Sequence, residues 1–197
     1  MTDLIAIETR GQSRIVTITR PEVRNAVNPE TATALYRAFL DFDADDSVAV
    51  AILTGSEGYF CGGFDLKRAA SSIDEGWFET HAITAPEDLD QPYPGPMGPT
   101  RLKLSKPVIA AVEGPAVAGG MELALWCDLR VLAEDAFMGV YCRRWGVPLI
   151  DGGSIRLPRI VGQGRALDLI LTGRRCNAEE AQSMGLANRV TASGGAL

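Results

Sequence analysis

Apolar residues recur along this chain with two periods, one of strands and one of helices. Leu4 to Glu8 and Ile15 to Thr19 alternate or run β-branched around Gly11-Gln12, which predicts a hairpin. A loop broken by Pro21 leads to Asn28, a helix cap, with Pro29 at the first helical position. That helix is predicted to run to about Asp41, because Leu35, Ala38, Phe39 and Phe42 keep a helical period. Val48 to Leu53, Pro107 to Val112, Leu129 to Ala133 and Ala187 to Val190 read as strands. Met121 to Trp126, Ser154 to Val161 and Arg165 to Leu171 read as helices, the last two separated at Gly162. Asn177-Ala178-Glu179-Glu180 resembles a capping box, and Gly185 ends the helix it opens. Phe137 to Ser154 shows little regular pattern before Asp151-Gly152-Gly153.

Ser71 to Arg101 has no clean period and carries five prolines, at positions 86, 92, 94, 96 and 99, so a mobile loop or lid is predicted there. Trp77, Phe78 and Met97 either line a pocket or pin this loop to the body. His81, the chain's one histidine, is expected to be solvated and is not assigned as a base.

Two segments share one design, a strand followed by a glycine turn and a helix start. One passes through Phe60-Cys61-Gly62-Gly63-Phe64-Asp65, where Asp65 can cap the helix. The other passes through Gly114-Pro115 to Gly119-Gly120-Met121-Glu122. A Gly-Gly pair at a helix entrance can be plain turn chemistry. Its duplication suggests more: N–H groups from two segments, at Phe64 and Gly119, can converge on one carbonyl oxygen as an oxyanion hole. Glu122 stands in the first turn of an otherwise apolar helix. Burial would raise its pKa, which suits an acid or base near neutrality, while the helix N-terminus opposes that rise. A structural first-turn glutamate is the plain alternative.

Composition narrows the class. The length of 197 residues fits one domain, or one domain with a partial second, and the formal net charge of −6 argues against a nucleic-acid surface. No apolar run is long enough to span a bilayer, and the N-terminus has no signal-peptide pattern. Cys61, Cys127, Cys142 and Cys176 are widely spaced and form no metal-ligand pattern, so a reduced, cytoplasmic setting is expected. No Gly-x-Gly-x-x-Gly follows the first strand and no Gly-x-Ser-x-Gly occurs. These two absences argue against a nicotinamide dehydrogenase and a serine hydrolase.

The motifs together resemble the crotonase, or enoyl-CoA hydratase/isomerase, superfamily. They are Arg20-Pro21 with Asn25-Ala26, Leu53-Thr54-Gly55 with Phe60 to Leu66, Lys106 to Gly114, Ala118 to Ala124 with Cys127-Asp128, and Leu171-Thr172-Gly173-Arg174 with Gly185-Leu186-Ala187. The resemblance implies an α/β fold, a spiral of repeated ββα units with flanking helices. It implies an acyl-CoA thioester substrate, with coenzyme A arriving as part of that substrate and no separate cofactor or metal. It implies a homotrimer or dimer of trimers, with no nucleic-acid or membrane partner. The N–H groups of Phe64 and Gly119 would hold the thioester oxygen, and Arg24, Asp65, Leu66, Lys67 and Arg68 would meet CoA. The basic residues among these could equally be a solvated surface.

Two departures from the family pattern stand out. Glu122 matches the first of the two glutamates of a typical hydratase, but Cys142 occupies the position of the second. A thiol, with an ordinary pKa of about 8.5, replaces a carboxylate poorly. Asp151 is the nearest acid in the loop and the candidate partner of Glu122, or else a turn residue before Gly152-Gly153. Relatives also continue into C-terminal helices that are expected to be mostly lacking here, so that Ile160, Leu167, Ile170 and Leu171 would be partly exposed. The sequence therefore supports a hydratase-type lyase, with an isomerase, related chemistry or a silent CoA-binding subunit as alternatives.

Overall fold

A computed structural model describes residues 4–71, 76–83, 87–88 and 91–197, without the side chains of residues 78 and 80. The chain opens with the predicted hairpin, β1 (Ile5–Arg10) and β2 (Ser13–Ile18), paired antiparallel. Asn28 then caps α1 (Pro29–Ala44), its side chain accepting from the Thr31 N–H. The apolar stripe Leu35, Ala38, Phe39 and Phe42 is buried against the sheet, as its period requires.

Three successive strands feed the centre of the molecule. β3 (Val50–Gly55) leads through the Cys61 bridge to α2 (Leu66–Ala70), which precedes α3 (Trp77–Thr80). β4 (Val108–Val112) leads through β5 (Pro115–Val117) to α4 (Gly119–Trp126). β6 (Leu129–Ala133) leads through β7 (Phe137–Gly139) to α5 (Cys142–Trp145). Each is one strand–strand–helix unit, the first with a single bridge in place of its second strand. The remainder is α6 (Gly153–Val161), α7 (Gln163–Thr172), β8 (Cys176–Asn177), α8 (Ala178–Ser183) and β9 (Arg189–Thr191).

The large sheet has the order β1-β2-β3-β4-β6-β9 and is parallel except for the opening hairpin. A small sheet, β5-β7-β8, collects the second strands of the later units. This is the expected ββα spiral. β5, β7 and α5 were not predicted, because three or four residues carry too little period to show. Leu167 and Leu171 are exposed, and Ile160 and Ile170, though packed against the core, are half-buried, so all four are at least partly exposed, as expected. Among the described residues no helix is long and apolar enough to cross a membrane.

The segment after β2 frames the first glycine turn. Buried Asn25 accepts from the Arg20 N–H at 2.9 Å and donates to the carbonyls of Ser56 at 3.0 Å and Tyr59 at 2.7 Å. Around it the Gly62 N–H donates to Arg24 O, the Val27 N–H to Gly63 O and the Asp65 N–H to Val27 O. The Gly62-Gly63-Phe64 turn is thus tied to residues 24–27 by backbone bonds. Asn25 also holds a left-handed φ of 54°, which asparagine tolerates better than alanine. Asn25→Ala leaves buried carbonyls unpaired, so a loss of roughly 2–4 kcal/mol is expected in urea unfolding. A loss below about 1 kcal/mol would show that the frame stands without this side chain.

Candidate active site

The two glycine turns meet. A β-carbon built on Gly63, whose φ is +99°, would lie 3.1 Å from the Gly119 nitrogen and 3.0 Å from Val117 O and from Ala118 Cβ. Glycine is therefore required there, and it lets the backbones of the two segments touch. Gly119 is the first residue of α4, so its N–H has no acceptor within the helix. Neither this N–H nor that of Phe64 donates a hydrogen bond among the described residues. Ala118, just before it, holds a φ of 52°, a strained conformation for a residue with a β-carbon. Phe64, Ala118 and Gly119 all line one cavity of about 850 Å³ with mostly apolar walls.

Glu122 lies in the wall of the same cavity, one turn into α4, and is 2% exposed. Its Oε1 accepts two N–H groups from 29 and 31 residues onward, those of Asp151 at 3.0 Å and Gly153 at 2.8 Å. Gly153 opens α6, so the carboxylate sits at that helix's N-terminus as well as in the first turn of its own. A β-carbon on Gly153 would lie 2.9 Å from Glu122 Cγ and Oε1, so glycine is needed for the approach. Burial, and then the charge of Asp151, push the Glu122 carboxyl up from 4.5 to about 7. The two N–H groups and the charge of Arg156 oppose that rise. The expected contest between burial and helix N-terminus is present, but the donors belong to α6 and its preceding loop.

Asp151 is buried and lines the cavity too. Its Oδ1 accepts the Thr100 hydroxyl and, at 3.1 Å, the Met97 N–H. Burial pushes its carboxyl above the ordinary value, against these donors and the charges of Arg101 and Arg156. Asp151 thus fastens the 97–100 loop with its side chain and Glu122 with its backbone. Cys142, at the start of α5, lines the cavity as a buried thiol. Burial, with the Glu122 charge next, lifts it to about 12, so it stays protonated at neutral pH.

Of the CoA candidates, Arg24 and Leu66 line the cavity. Asp65 caps α2 by accepting from the Arg68 N–H and pairs with Arg20 at 3.0 Å, so its carboxylate is engaged within the fold. Arg68 reaches Glu30 at 3.2 Å, and Lys67 is exposed on α2. Trp77 and Met97 line the cavity as one of their two readings had it, while the side chain of Phe78 lies outside the described residues. His81 corrects its expectation. It is 3% exposed, stacked on Trp77 at 4.5 Å and edge-on to Phe64 at 5.5 Å, with Nδ1 against Trp77 O. Aromatic neighbours four and seventeen residues away bury it, which a proline-rich sequence does not announce. Thr100, Gly153 and Arg156 were missed, and the only signal for them was the Gly152-Gly153 pair at the foot of α6. Among the described residues no cluster of metal-binding side chains occurs, and all four cysteines are free and buried.

Known proteins share the sequence and fold over nearly the whole chain. The family model for enoyl-CoA hydratase/isomerase matches residues 10–195. The chain is 38% identical to enoyl-CoA hydratase EchA19 of Mycobacterium tuberculosis, over 97% of this chain and 69% of that protein. It is 37% identical to carnitinyl-CoA dehydratase of Proteus mirabilis, over 98% of this chain and 70% of that one. Among solved structures, enoyl-CoA hydratase EchA1 from Mycobacterium marinum superposes with a TM-score of 0.84 at 38% identity, covering 98% of this chain and 71% of the other. The spiral of ββα units, the paired glycine turns and this match over nearly the whole chain make the protein a member of the enoyl-CoA hydratase/isomerase family.

Proposed function

We propose that the protein is an enoyl-CoA hydratase-type lyase acting on acyl thioesters of coenzyme A. The observation that carries this is that Phe64, Gly119 and Glu122 line one mostly apolar cavity, with the N–H groups of Phe64 and Gly119 engaged by no acceptor among the described residues. The thioester oxygen accepts from both N–H groups, which stabilise the enolate that forms as a hydroxyl group adds to the β-carbon. Glu122, with a pKa of about 7, takes the proton from water, and Asp151 helps orient that water from the same cavity wall. The α-carbon then receives a proton from this pair, so that water has been added across the double bond. Arg24, Lys67 and Arg68 supply positive charge for the phosphates of CoA, and Leu66 packs against its thioester arm. No step calls for a metal or redox group. The relatives named as hydratases and as a dehydratase support lyase chemistry of this kind. The reading extends to a cytoplasmic homotrimer at work in fatty-acid metabolism.

A second reading rests on one observation, the hold of Thr100 and Met97 on Asp151. A carboxylate so anchored leaves Glu122 to serve alone as acid and base, which suits migration of a double bond. Asp151→Asn separates the readings: hydration falls in it if Asp151 serves the water, and isomerisation persists if Glu122 acts alone.

Crotonyl-CoA is expected to lose its enoyl-thioester absorbance with the wild-type protein. Glu122→Gln is expected to reduce turnover by on the order of 10²–10⁴ with little change in CoA affinity. Unchanged turnover in that variant would remove Glu122 from the mechanism. Turnover should rise with pH through about 7 as Glu122 ionises.

Stability should move the other way. Between 4.5 and about 7 the folded protein retains a proton that the unfolded chain has released, so stability falls as pH rises through that window. Glu122→Gln should flatten this fall, leaving the part due to Asp151. An identical slope in both proteins would mean that Glu122 is not buried as a protonated acid. Sedimentation at micromolar concentration is expected to show a trimer, with exposed Ile155, Leu167 and Leu171 available to pack between copies. A monomer would contradict that assembly.

A further inference from the structure

Arg156 lies on α6 one turn past the glycine that holds Glu122, behind the cavity wall and not part of its lining. Its guanidinium forks between two carbonyls from different segments. Nη1 donates to Asp151 O at 2.7 Å, and Nη2 donates to Thr100 O at 2.6 Å. Thr100 in turn gives its hydroxyl to the Asp151 carboxylate, and Asp151 gives its N–H to Glu122. The ring of contacts is closed: Arg156 to Thr100, Thr100 to Asp151, Asp151 back to Arg156, with Glu122 held from it. Gly152 is shaped for this fork. Its φ is +90°, and a β-carbon there would lie 2.4 Å from Arg156 Nη1.

We propose that Arg156 is a positioning residue for the acid/base pair, clamping the Thr100 and Asp151 carbonyls so that Glu122 and Asp151 keep their places, and setting a fixed cation beside both. The inference rests on Glu122 being the proton-transfer group. Charge and geometry act together here. The cation favours ionised Glu122 and opposes the effects of burial and of Asp151. It does the same for Asp151, which also faces Arg101 from the Pro99–Arg101 turn. The thiol of Cys142 faces both carboxylates from α5, and that of Cys127 faces Arg156 from the end of α4. On its outer side Arg156 meets a small polar cavity shared with Lys103, Lys106 and Asp128. Burial lowers the proton affinity of its guanidinium, against the raising effects of Glu122, Asp151 and Cys127. Arginine is still charged throughout the working pH range. The fork needs a planar group with two separated donors, and lysine, a point charge, cannot bridge both carbonyls in the same way.

The test compares Arg156→Gln, which removes the charge, with Arg156→Lys, which keeps charge and loses the fork. Glu122 is titrated directly by carbon NMR in protein carrying carboxyl-labelled glutamate, its signal assigned by absence in Glu122→Gln. This readout needs no turnover, so it stands whether or not crotonyl-CoA is hydrated. An inactive wild type would count against the proposed function, while an unmoved titration would count against Arg156. In Arg156→Gln the Glu122 midpoint should move up by about one pH unit, the effect of losing one nearby opposite charge. In Arg156→Lys the midpoint should stay near the wild-type value, while kcat falls on the order of tenfold with KM little changed. Should Arg156→Gln fail to unfold cooperatively, Arg156→Lys decides alone: wild-type kcat in it overturns the positioning role. A Glu122 midpoint unmoved in folded Arg156→Gln overturns the electrostatic role, because removing a cation that favours the ionised carboxylate must raise the midpoint, whereas a purely structural role would leave it in place.

Discussion

Two backbone N–H groups hold one buried carboxylate, and the site is arranged around that contact. Glu122 is fixed by the N–H groups of Asp151 and Gly153, which join the first turn of α4 to the entrance of α6. A carboxylate buried to this degree is costly unless it is protonated or hydrogen-bonded. Here burial and a neighbouring aspartate favour the proton, while two donors and a cation favour the charge, and the outcome is a pKa of about 7. Remove the donors and the group becomes a permanently protonated acid. Remove the burial and it becomes an ordinary surface carboxylate. Neither extreme could exchange a proton readily near neutral pH.

The same economy of backbone runs through the rest of the cavity. Glycine is obligatory at 63 because two chain segments touch there, and at 153 because Glu122 does. The strained φ of Ala118 sits directly before the N–H that is left without an acceptor. Residues 24–27, held by Asn25, carry the first glycine turn, and β5 with β7 carries the second. The N–H donors of these turns are placed by pairing to a sheet, which limits their freedom without requiring any side chain beside them. Cys142 adds a neutral, buried wall where a second charge would have driven the proton affinity of Glu122 higher still.

Much of this was legible in the sequence because it was written in local chemistry. Asn28 with Pro29, Asn177 with Glu180, and Asp65 are caps whose partners lie three residues away, and each cap forms. The β1–β2 hairpin and the strands β3, β4 and β6 declared themselves by runs of β-branched and apolar residues. Glu122 announced itself as a charge in an apolar helix. What stayed hidden depends on partners far along the chain. β5 and β7 are three residues each and exist because they pair with one another. The donors to Glu122 come from 29 and 31 residues onward, and Arg156 reaches back 56 residues to Thr100. His81 misled because burial by Trp77 and Phe64 is a tertiary fact, set by the packing of their rings on its own.

The central claim is that the Phe64 and Gly119 N–H groups act together on one carbonyl oxygen. Isotope-edited infrared spectroscopy of bound butyryl-CoA, carbon-labelled at the thioester carbonyl, tests it without any reaction taking place. Two converging donors polarise the carbonyl, so its stretching frequency should fall on binding relative to the free thioester in water. A bound frequency equal to or above that of the free thioester would contradict the account, since the oxygen would then lie outside the hole formed by the two glycine turns.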